Sequence, residues 1–331
     1  MNTQILLASR PHGEPQPQDF HINSAPVPEP ADGQVVVETN WLSLDPYMRG
    51  RMNDAKSYAP PVAIGSVMVG GTVGTVVASK HPGFKPGDIV AGEGGWQKFA
   101  LLPGSQLRTL DPQAGPISYA LGPLGMPGLT AYCALLDIGA PKAGETVVVS
   151  AASGAVGSIA GQIAKLKGCR VVGIAGSDEK CAYVVNELGF DECINRRTAT
   201  ALNAALKSAC PDGIDVYFDN TAGRILEAVM RRLNLFARIP LVGLIEQYNA
   251  TEIPKGPSLV PLLVCRAKIE GFLVGDHFGH ASAAFGEIAT WLREGKLKYK
   301  EDIVEGLEQA PRALIGMLRG ENFGKLLVHV S

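Results

Sequence analysis

Apolar residues recur along this chain in two rhythms, and the change from one to the other divides it. From residue 146 onward, short β-branched runs alternate with stretches whose apolar positions fall three and four apart. Residues 146–150 read as a buried parallel strand, and residues 154–167 follow as a helix with Val156, Ile159, Ala160, Ile163 and Leu166 on one face. A second strand at 170–175 and a second helix at 178–188, closed by Gly189, complete a βαβ unit. Strands at 214–218, 238–242 and 269–274, with helices at 198–209, 224–235 and 281–292, extend the alternation. The pattern predicts an α/β, doubly wound parallel sheet. Before residue 131, strand-like runs such as 34–39 and 71–78 are broken by Pro and Gly clusters, the texture of a β-rich barrel or sandwich. The Gly- and Pro-rich stretch 123–129 precedes a helix expected near Thr130, and residues 298–305, 311–318 and 325–330 return to the mixed pattern. The expected organisation is a β-rich domain over 1–123, a doubly wound domain over 124–297 and a return to the first domain over 298–331.

The junction of the first strand and helix of the doubly wound segment carries candidate chemistry. Ala152, Gly154 and Gly157 stand at the spacing of the dinucleotide fingerprint, with alanine in place of its first glycine. Residues of this size permit a tight turn, close approach of the backbone to a pyrophosphate, and close packing of helix on strand; the helix N-terminus then offers free N–H groups to the anion. Glycine turns of this kind also serve packing alone, but the strand–turn–helix order favours a dinucleotide. At the tip of the second strand, where an NAD site places an acid on the ribose diol, the chain has Gly176-Ser177. Lys180 and Arg196 can neutralise a ribose phosphate instead, so NADP is preferred; Asp178 and Glu179 keep NAD open.

At 331 residues, 46% hydrophobic and net charge −2, the chain is long enough for two domains and has no basic footprint for nucleic acid or an anionic membrane. Small soluble ligands are the expected partners. The charge-poor stretches 112–136 and 146–164 are interrupted by glycine, and the first by proline as well, which excludes membrane spans. The first ten residues lack the basic and long apolar regions of an export signal, so the cytoplasm is the expected location. Six cysteines are scattered without a CxxC pair and read as reduced structural thiols. None lies in the first 132 residues, so no metal is expected; His277, His280 and His329 read as loop or sheet residues without a telling neighbour.

Five motifs in one order carry a resemblance over nearly the whole chain. They are Leu42-Ser43-Leu44-Asp45-Pro46-Tyr47-Met48-Arg49, Gly125-Met126-Pro127-Gly128-Leu129-Thr130-Ala131-Tyr132, residues 151–158, Tyr217-Phe218-Asp219-Asn220, and Asn322-Phe323-Gly324-Lys325. The chain resembles the zinc-independent medium-chain dehydrogenase/reductases, and among them the prostaglandin/leukotriene reductases, plant alkenal double-bond reductases and bacterial curcumin reductases. The resemblance implies a GroES-like catalytic domain before the Rossmann domain, and NADPH-dependent reduction of the carbon–carbon double bond of an α,β-unsaturated ketone or aldehyde. Hydride delivered to the β-carbon pushes charge onto the carbonyl oxygen, so such a site needs a donor for an enolate, either a tyrosine or a cofactor ribose hydroxyl. By the same likeness Tyr248 and Tyr47 are the candidates to face substrate. Tyr47 is open between that role and a turn aromatic packed on the barrel, while Asp45 and Arg49 read as a structural pair. The cofactor-binding residues it implies are Ala152, Gly154, Ala155, Val156 and Gly157 at the pyrophosphate, Ser177, Lys180 and Arg196 at the ribose phosphate, and Asn220, Gly243, Tyr248, Phe272, Leu273, Val274 and Asn322 along the crevice. Arg196 departs from relatives that often carry a tyrosine there.

Two alternatives stay open: an NADPH quinone oxidoreductase of the same superfamily, and a non-catalytic NADPH-binding module. The family likeness further implies a homodimer through a Rossmann sheet edge near residues 268–274, a run that reads equally as an interior strand. Loops 53–61 and 247–260 are expected to shape the substrate pocket.

Overall fold

A computed structural model describes residues 1–199, 201–252 and 254–330, which form two compact units, Met1–Leu121 with Glu301–Ser331 and Gly122–Lys300. Thr200 of the expected helix 198–209, Ile253 of the expected loop 247–260 and the terminal Ser331 lie outside the described residues.

In the first unit a hairpin of β1 (Asn2–Leu7) and β2 (Phe20–Ala25) stands beside a larger sheet. That sheet is built on β3 (Gln34–Ser43), whose length lets one strand bond three neighbours. After the short helix α1 (Tyr47–Arg51) come β4 (Thr72–Ser79), β5 (Ile89–Gly92), β6 (Phe99–Pro103) and β7 (Arg108–Thr109). The start of β3 pairs with β6 and its end with a C-terminal strand, while β4 runs along its other side with two register shifts. Such irregular pairing bends a sheet toward closure, the behaviour expected of a barrel. Gly74 is required at one of these places, since a Cβ there would lie 2.2 Å from the Glu38 carbonyl.

The second unit opens with α2 (Met126–Cys133), which starts four residues before the expected Thr130 because Pro127 is tolerated in the first helical turn. It runs into a π-helical turn, Ala134–Gly139. Then follow β8 (Thr146–Ser150), α3 (Gly157–Leu166), β9 (Arg170–Ala175), α4 (Asp178–Asn186), β10 (Glu192–Asn195), α5 (Leu202–Ala209), β11 (Ile214–Phe218) and α6 (Gly223–Met230). They are followed by β12 (Leu233–Leu241), α7 (Val260–Cys265), β13 (Lys268–Gly271), a 3₁₀ run Val274–His280, and α8 (Ala281–Arg293). The six strands are ordered β10-β9-β8-β11-β12-β13 and all neighbours are parallel. This is the doubly wound order, with its reversal between β8 and β11. Apolar clusters cover both faces, one around Val147, Val149 and Ile163, the other around Val148, Ile174 and Val229.

Helix α6 stops at Met230, short of the expected Leu235: Leu233 and Leu235 start β12 instead, and a left-handed Phe236 (φ +64°) breaks its register. The predicted strand 269–274 ends at Gly271, and Val274 opens the 3₁₀ run. β13 forms the edge of the sheet with all four residues exposed, which resolves the edge-or-interior question. The chain then returns to the first sheet as β14 (Glu301–Glu305), α9 (Ala310–Leu318) and β15 (Lys325–His329), with β15 between β14 and β3. Among the described residues no helix is long and apolar enough to cross a membrane.

Candidate functional site

The crevice-forming ends of β8, β9, β11 and β12 collect most of the residues singled out in the sequence. After β8 the chain turns through Ala151, held left-handed at φ +48°, and reaches α3 only at Gly157. A Cβ on Gly157 would lie 2.5 Å from the Ala151 carbonyl, so this approach admits glycine alone. Ala152 is fully buried under the turn, while Gly154, Ala155 and Val156 are half-exposed at the mouth of a ten-residue helix. A backbone cradle of this kind, at the N-terminus of a helix, fits a dinucleotide pyrophosphate.

At the tip of β9, Ser177 caps α4: its Oγ accepts from the Lys180 amide at 3.2 Å, which sets Lys180 in the first helical turn. Arg196 points elsewhere than expected. Its guanidinium stands 4.0 Å from Glu246, which also faces Arg224 at 3.7 Å. The guanidinium nearest Gly176 belongs to Arg197, whose Nε lies 3.9 Å from where a Cβ on that glycine would sit. No periodicity separates these two adjacent arginines, and the strand end decides which one turns to the tip.

After β11 a buried polar knot replaces what sequence alone showed as a motif. Asp219, fully buried, accepts at Oδ1 from the Tyr217 hydroxyl (2.8 Å) and the amides of Thr221 (2.9 Å) and Ala222 (2.8 Å). Burial pushes its pKa up against the pull of these donors. The Asn220 amide donates to Ser150 Oγ at 2.9 Å, and its side chain donates to the Ser150 carbonyl at 2.7 Å. The ends of β8 and β11 are thereby locked together at the topological switch point. Gly243 passes close over Asn220, since a Cβ there would be 2.9 Å from the Asn220 carbonyl. Tyr248 follows, half-buried, its hydroxyl accepting from the Leu244 amide at 3.4 Å. Burial raises the pKa of this phenol above its ordinary value of 10.0, so it keeps a proton to donate. Beyond β13, Phe272 is buried, Leu273 exposed and Val274 half-buried.

The remaining candidates belong to the other unit. Tyr47 opens α1 and packs against the cluster of Leu44, Met48 and Trp96. Burial, with the carboxylates of Glu93 and Asp45, raises its pKa strongly. Asn322 is half-buried and donates to the Gly324 carbonyl at 2.9 Å. The expected Asp45–Arg49 pair is replaced. Asp45 takes its cation from Lys325 (2.7 Å), whereas Arg49 donates to Asn53 Oδ1 (2.6 Å) and the Gly13 carbonyl (2.7 Å), beside the charge of Asp19.

The histidines also depart from expectation. His329 pairs with Glu305 at 2.8 Å, and His277 and His280 lie 3.7 and 3.6 Å from Asp137. The partner of His277 and His280 is more than a hundred residues away in sequence, so no local signal announced it.

Comparison with known proteins follows the same division. Residues 3–110 match the family described as N-terminal domain of oxidoreductase, and residues 155–292 the family described as zinc-binding dehydrogenase. The chain is 50% identical over 336 residues to NADPH-dependent curcumin reductase of Escherichia coli (strain K12), covering 100% of this chain and 97% of that protein. It belongs to the medium-chain dehydrogenase/reductase family. Another member, the NADP(+)-dependent 2-alkenal reductase of Nicotiana tabacum, is 42% identical over 100% of this chain and 98% of its own. The crystal structure of CurA in complex with NADPH from Vibrio vulnificus superposes with a TM-score of 0.95 at 50% identity, covering 99% of each chain. Membership accounts for the glycine cradle and the doubly wound order. The Asp219 knot, the Lys325 pair and the histidine cluster emerge only from the three-dimensional arrangement.

Proposed function

We propose that this protein is an NADPH-dependent oxidoreductase that reduces the carbon–carbon double bond of α,β-unsaturated ketones or aldehydes. The observation that carries the reading is full-length likeness, at 42–50% identity, to reductases named for curcumin and for 2-alkenals. When bound, NADPH supplies the hydride. The chain's own residues do the rest. The turn 152–157 holds the pyrophosphate through backbone N–H groups and the α3 N-terminus, and Ser177, Lys180 and Arg197 receive the ribose phosphate. Asn220 and Gly243, fixed by Ser150 and Asp219, floor the crevice; Phe272, Leu273 and Val274 wall it. Arg196, held toward Glu246, acts there as a brace. Tyr248 donates a hydrogen bond to the carbonyl oxygen on which negative charge gathers, and no step needs a metal ion. Asn322 and Tyr47 belong to the other unit, where Tyr47 packs against the cluster of Leu44, Met48 and Trp96. The domain division 1–123, 124–297 and 298–331 then separates a catalytic part from a dinucleotide-binding one.

We also propose a homodimer formed through the β13 edge. Ile269 in that strand, Leu263 (80% exposed) and Val264 in α7, and Phe278 in the following 3₁₀ run are apolar side chains left exposed. The six cysteines are free thiols, which suits work in the reducing cytoplasm.

The test is oxidation of NADPH against a panel of enones, enals and quinones, with NADH as control and a chelator arm. Turnover of enones with NADPH, undiminished by chelation, is expected. Turnover of quinones alone would make the protein a quinone oxidoreductase; NADPH binding without turnover would make it a binding module.

A further inference from the structure

Among the described residues, one group of metal-binding side chains converges: Cys133, Asp137, His277 and His280 place one ligand atom each within 4.8 Å of one another. All four belong to the second unit, and three of them lie on two short elements of unusual winding. Cys133 ends α2, and Asp137 lies one turn on, inside the π-helical turn Ala134–Gly139. Single π turns inside helices concentrate at functional sites, because they displace side chains from the regular helical face. His277 and His280 both lie on the 3₁₀ run Val274–His280. A 3₁₀ helix has about three residues per turn, so two positions three apart project from the same side.

We propose that Cys133, Asp137, His277 and His280 form a structural binding site for a zinc-class divalent cation, clipping the Val274–His280 segment to the end of α2. The Asp137 carboxylate stands 3.7 Å from His277 Nδ1 and 3.6 Å from His280 Nδ1, and the Cys133 sulfur 4.0 Å from His280 Nδ1. Tetrahedral zinc with ordinary bond lengths separates its N, O and S ligands by about 3.4–3.6 Å, so these three pairs need a movement of roughly half an ångström or less and the remaining pairs, all within 4.8 Å, at most about 1.3 Å. Side-chain rotation supplies that. The donor set decides the class of ion: a thiolate and two imidazoles suit zinc and its neighbours, whereas calcium and magnesium take oxygen ligands. Four protein ligands leave no open position for water or substrate, which makes the site structural.

Two features favour a built site over a chance encounter. The His277 ring stacks on Phe272, 4.5 Å between centroids and 27° between planes, so its orientation is fixed before any ion arrives. The ligands also grade from interior to surface: Cys133 is fully buried and the His280 side chain is 60% exposed, so an ion has an entry side and a dry end. The segment that would be clipped starts at Val274, directly after the Phe272–Leu273 wall of the crevice. The inference does not rest on the reductase reading, and two of its ligands lie outside residues 155–292, where the zinc-binding family match falls.

The experiment uses the full chain, stripped of metal and titrated with cobalt(II) alone. The expected result is one equivalent bound, with visible d–d bands of four-coordinate cobalt, a near-ultraviolet thiolate charge-transfer band, and displacement by zinc. Cys133→Ser is expected to lose the charge-transfer band. His280→Ala, at an exposed position that leaves folding intact, is expected to weaken binding at least tenfold and to abolish the rise in Tm that zinc gives the unsubstituted protein. His12→Ala, at an exposed position elsewhere, serves as the control and is expected to change neither. Absence of a thiolate band, the weak spectrum of six-coordinate cobalt, or equal binding by the parent and His280→Ala proteins would overturn the proposal.

Discussion

The ammonium of Lys325 lies 2.7 Å from the carboxylate of Asp45, with both side chains almost wholly removed from solvent. Lys325 also donates to the Leu44 carbonyl at 2.8 Å, and Ser43 closes on the other Asp45 oxygen. One buried pair therefore staples β15 to the end of β3, joining two motifs that stand 280 residues apart. Removing one partner leaves the other buried and uncompensated, which costs about 3–5 kcal/mol. Lys325→Met is expected to lower the urea midpoint of unfolding accordingly, and Asp45→Asn with Lys325→Met to recover a large part of the loss. Additive losses in the double variant would show that the pair does not act as a unit.

The ribose-phosphate end yields a prediction that separates two adjacent arginines. Lys180 is set by the Ser177 cap and Arg197 lies nearest Gly176, while Arg196 faces Glu246. Lys180→Ala and Arg197→Ala should each raise KM for NADPH by roughly tenfold or more, the worth of one charge-assisted contact, and leave KM for NADH nearly unchanged. Arg196→Ala should shift both little. Steady-state kinetics with the two cofactors decides it; an effect of Arg196→Ala confined to NADPH would reverse the assignment.

Much of this architecture was legible in the chain because its signals are local. β8, β9 and β11 fall on the residues that apolar patterning marks, since each is a β-branched run flanked by turn formers. The end of α6 was hidden for a physical reason: no Gly or Pro follows Met230, and Leu233 and Leu235 continue a helical rhythm even though they belong to β12. Pairings were not legible. Asp45 has Arg49 four residues away and takes Lys325 instead, and Asp137 meets His277 from the far side of the Rossmann sheet sequence. Charge and ligand partners are chosen by packing, which acts between elements that periodicity treats one at a time.

A second ion pair gives a pH dependence. Arg238 in β12 makes two bonds to Glu145, at 3.0 and 2.6 Å, and two more to the carbonyls of Gly139 and Ala140, both at 2.9 Å. It thus ties the end of the π-helical turn to the sheet. Burial opposes ionisation of Glu145, but the bonds from Arg238 and the Lys142 amide prevail and hold its pKa below the ordinary 4.5. A carboxylate with a lowered folded-state pKa contributes stability that is complete above about 4.5 and is lost as pH falls through the lowered value. Arg238→Gln is expected to cost about 2 kcal/mol at neutral pH. Urea unfolding in a series from about pH 7 to about pH 3.5 should show the gap between the parent and the variant closing only below about pH 4.5. A gap constant across the series would assign the loss to packing.

Tyr248 carries the chemical prediction. Its hydroxyl accepts from the Leu244 amide and retains its own proton, and burial raises its pKa above 10.0. A phenol in that state donates a hydrogen bond throughout the working pH range and does not ionise in the alkaline limb. Tyr248→Phe removes the donor while leaving the ring that fills the loop, so kcat with an enone should fall by about 10²-fold, the usual worth of one such donor, with the Kd for NADPH little changed. The kcat–pH profile of the parent protein should stay flat up to about pH 10, because the group that stabilises the developing charge is still protonated there. Loss of NADPH affinity equal to the loss of kcat would make Tyr248 a cofactor-positioning residue. A fall in kcat well below pH 10 would place the essential proton on another group.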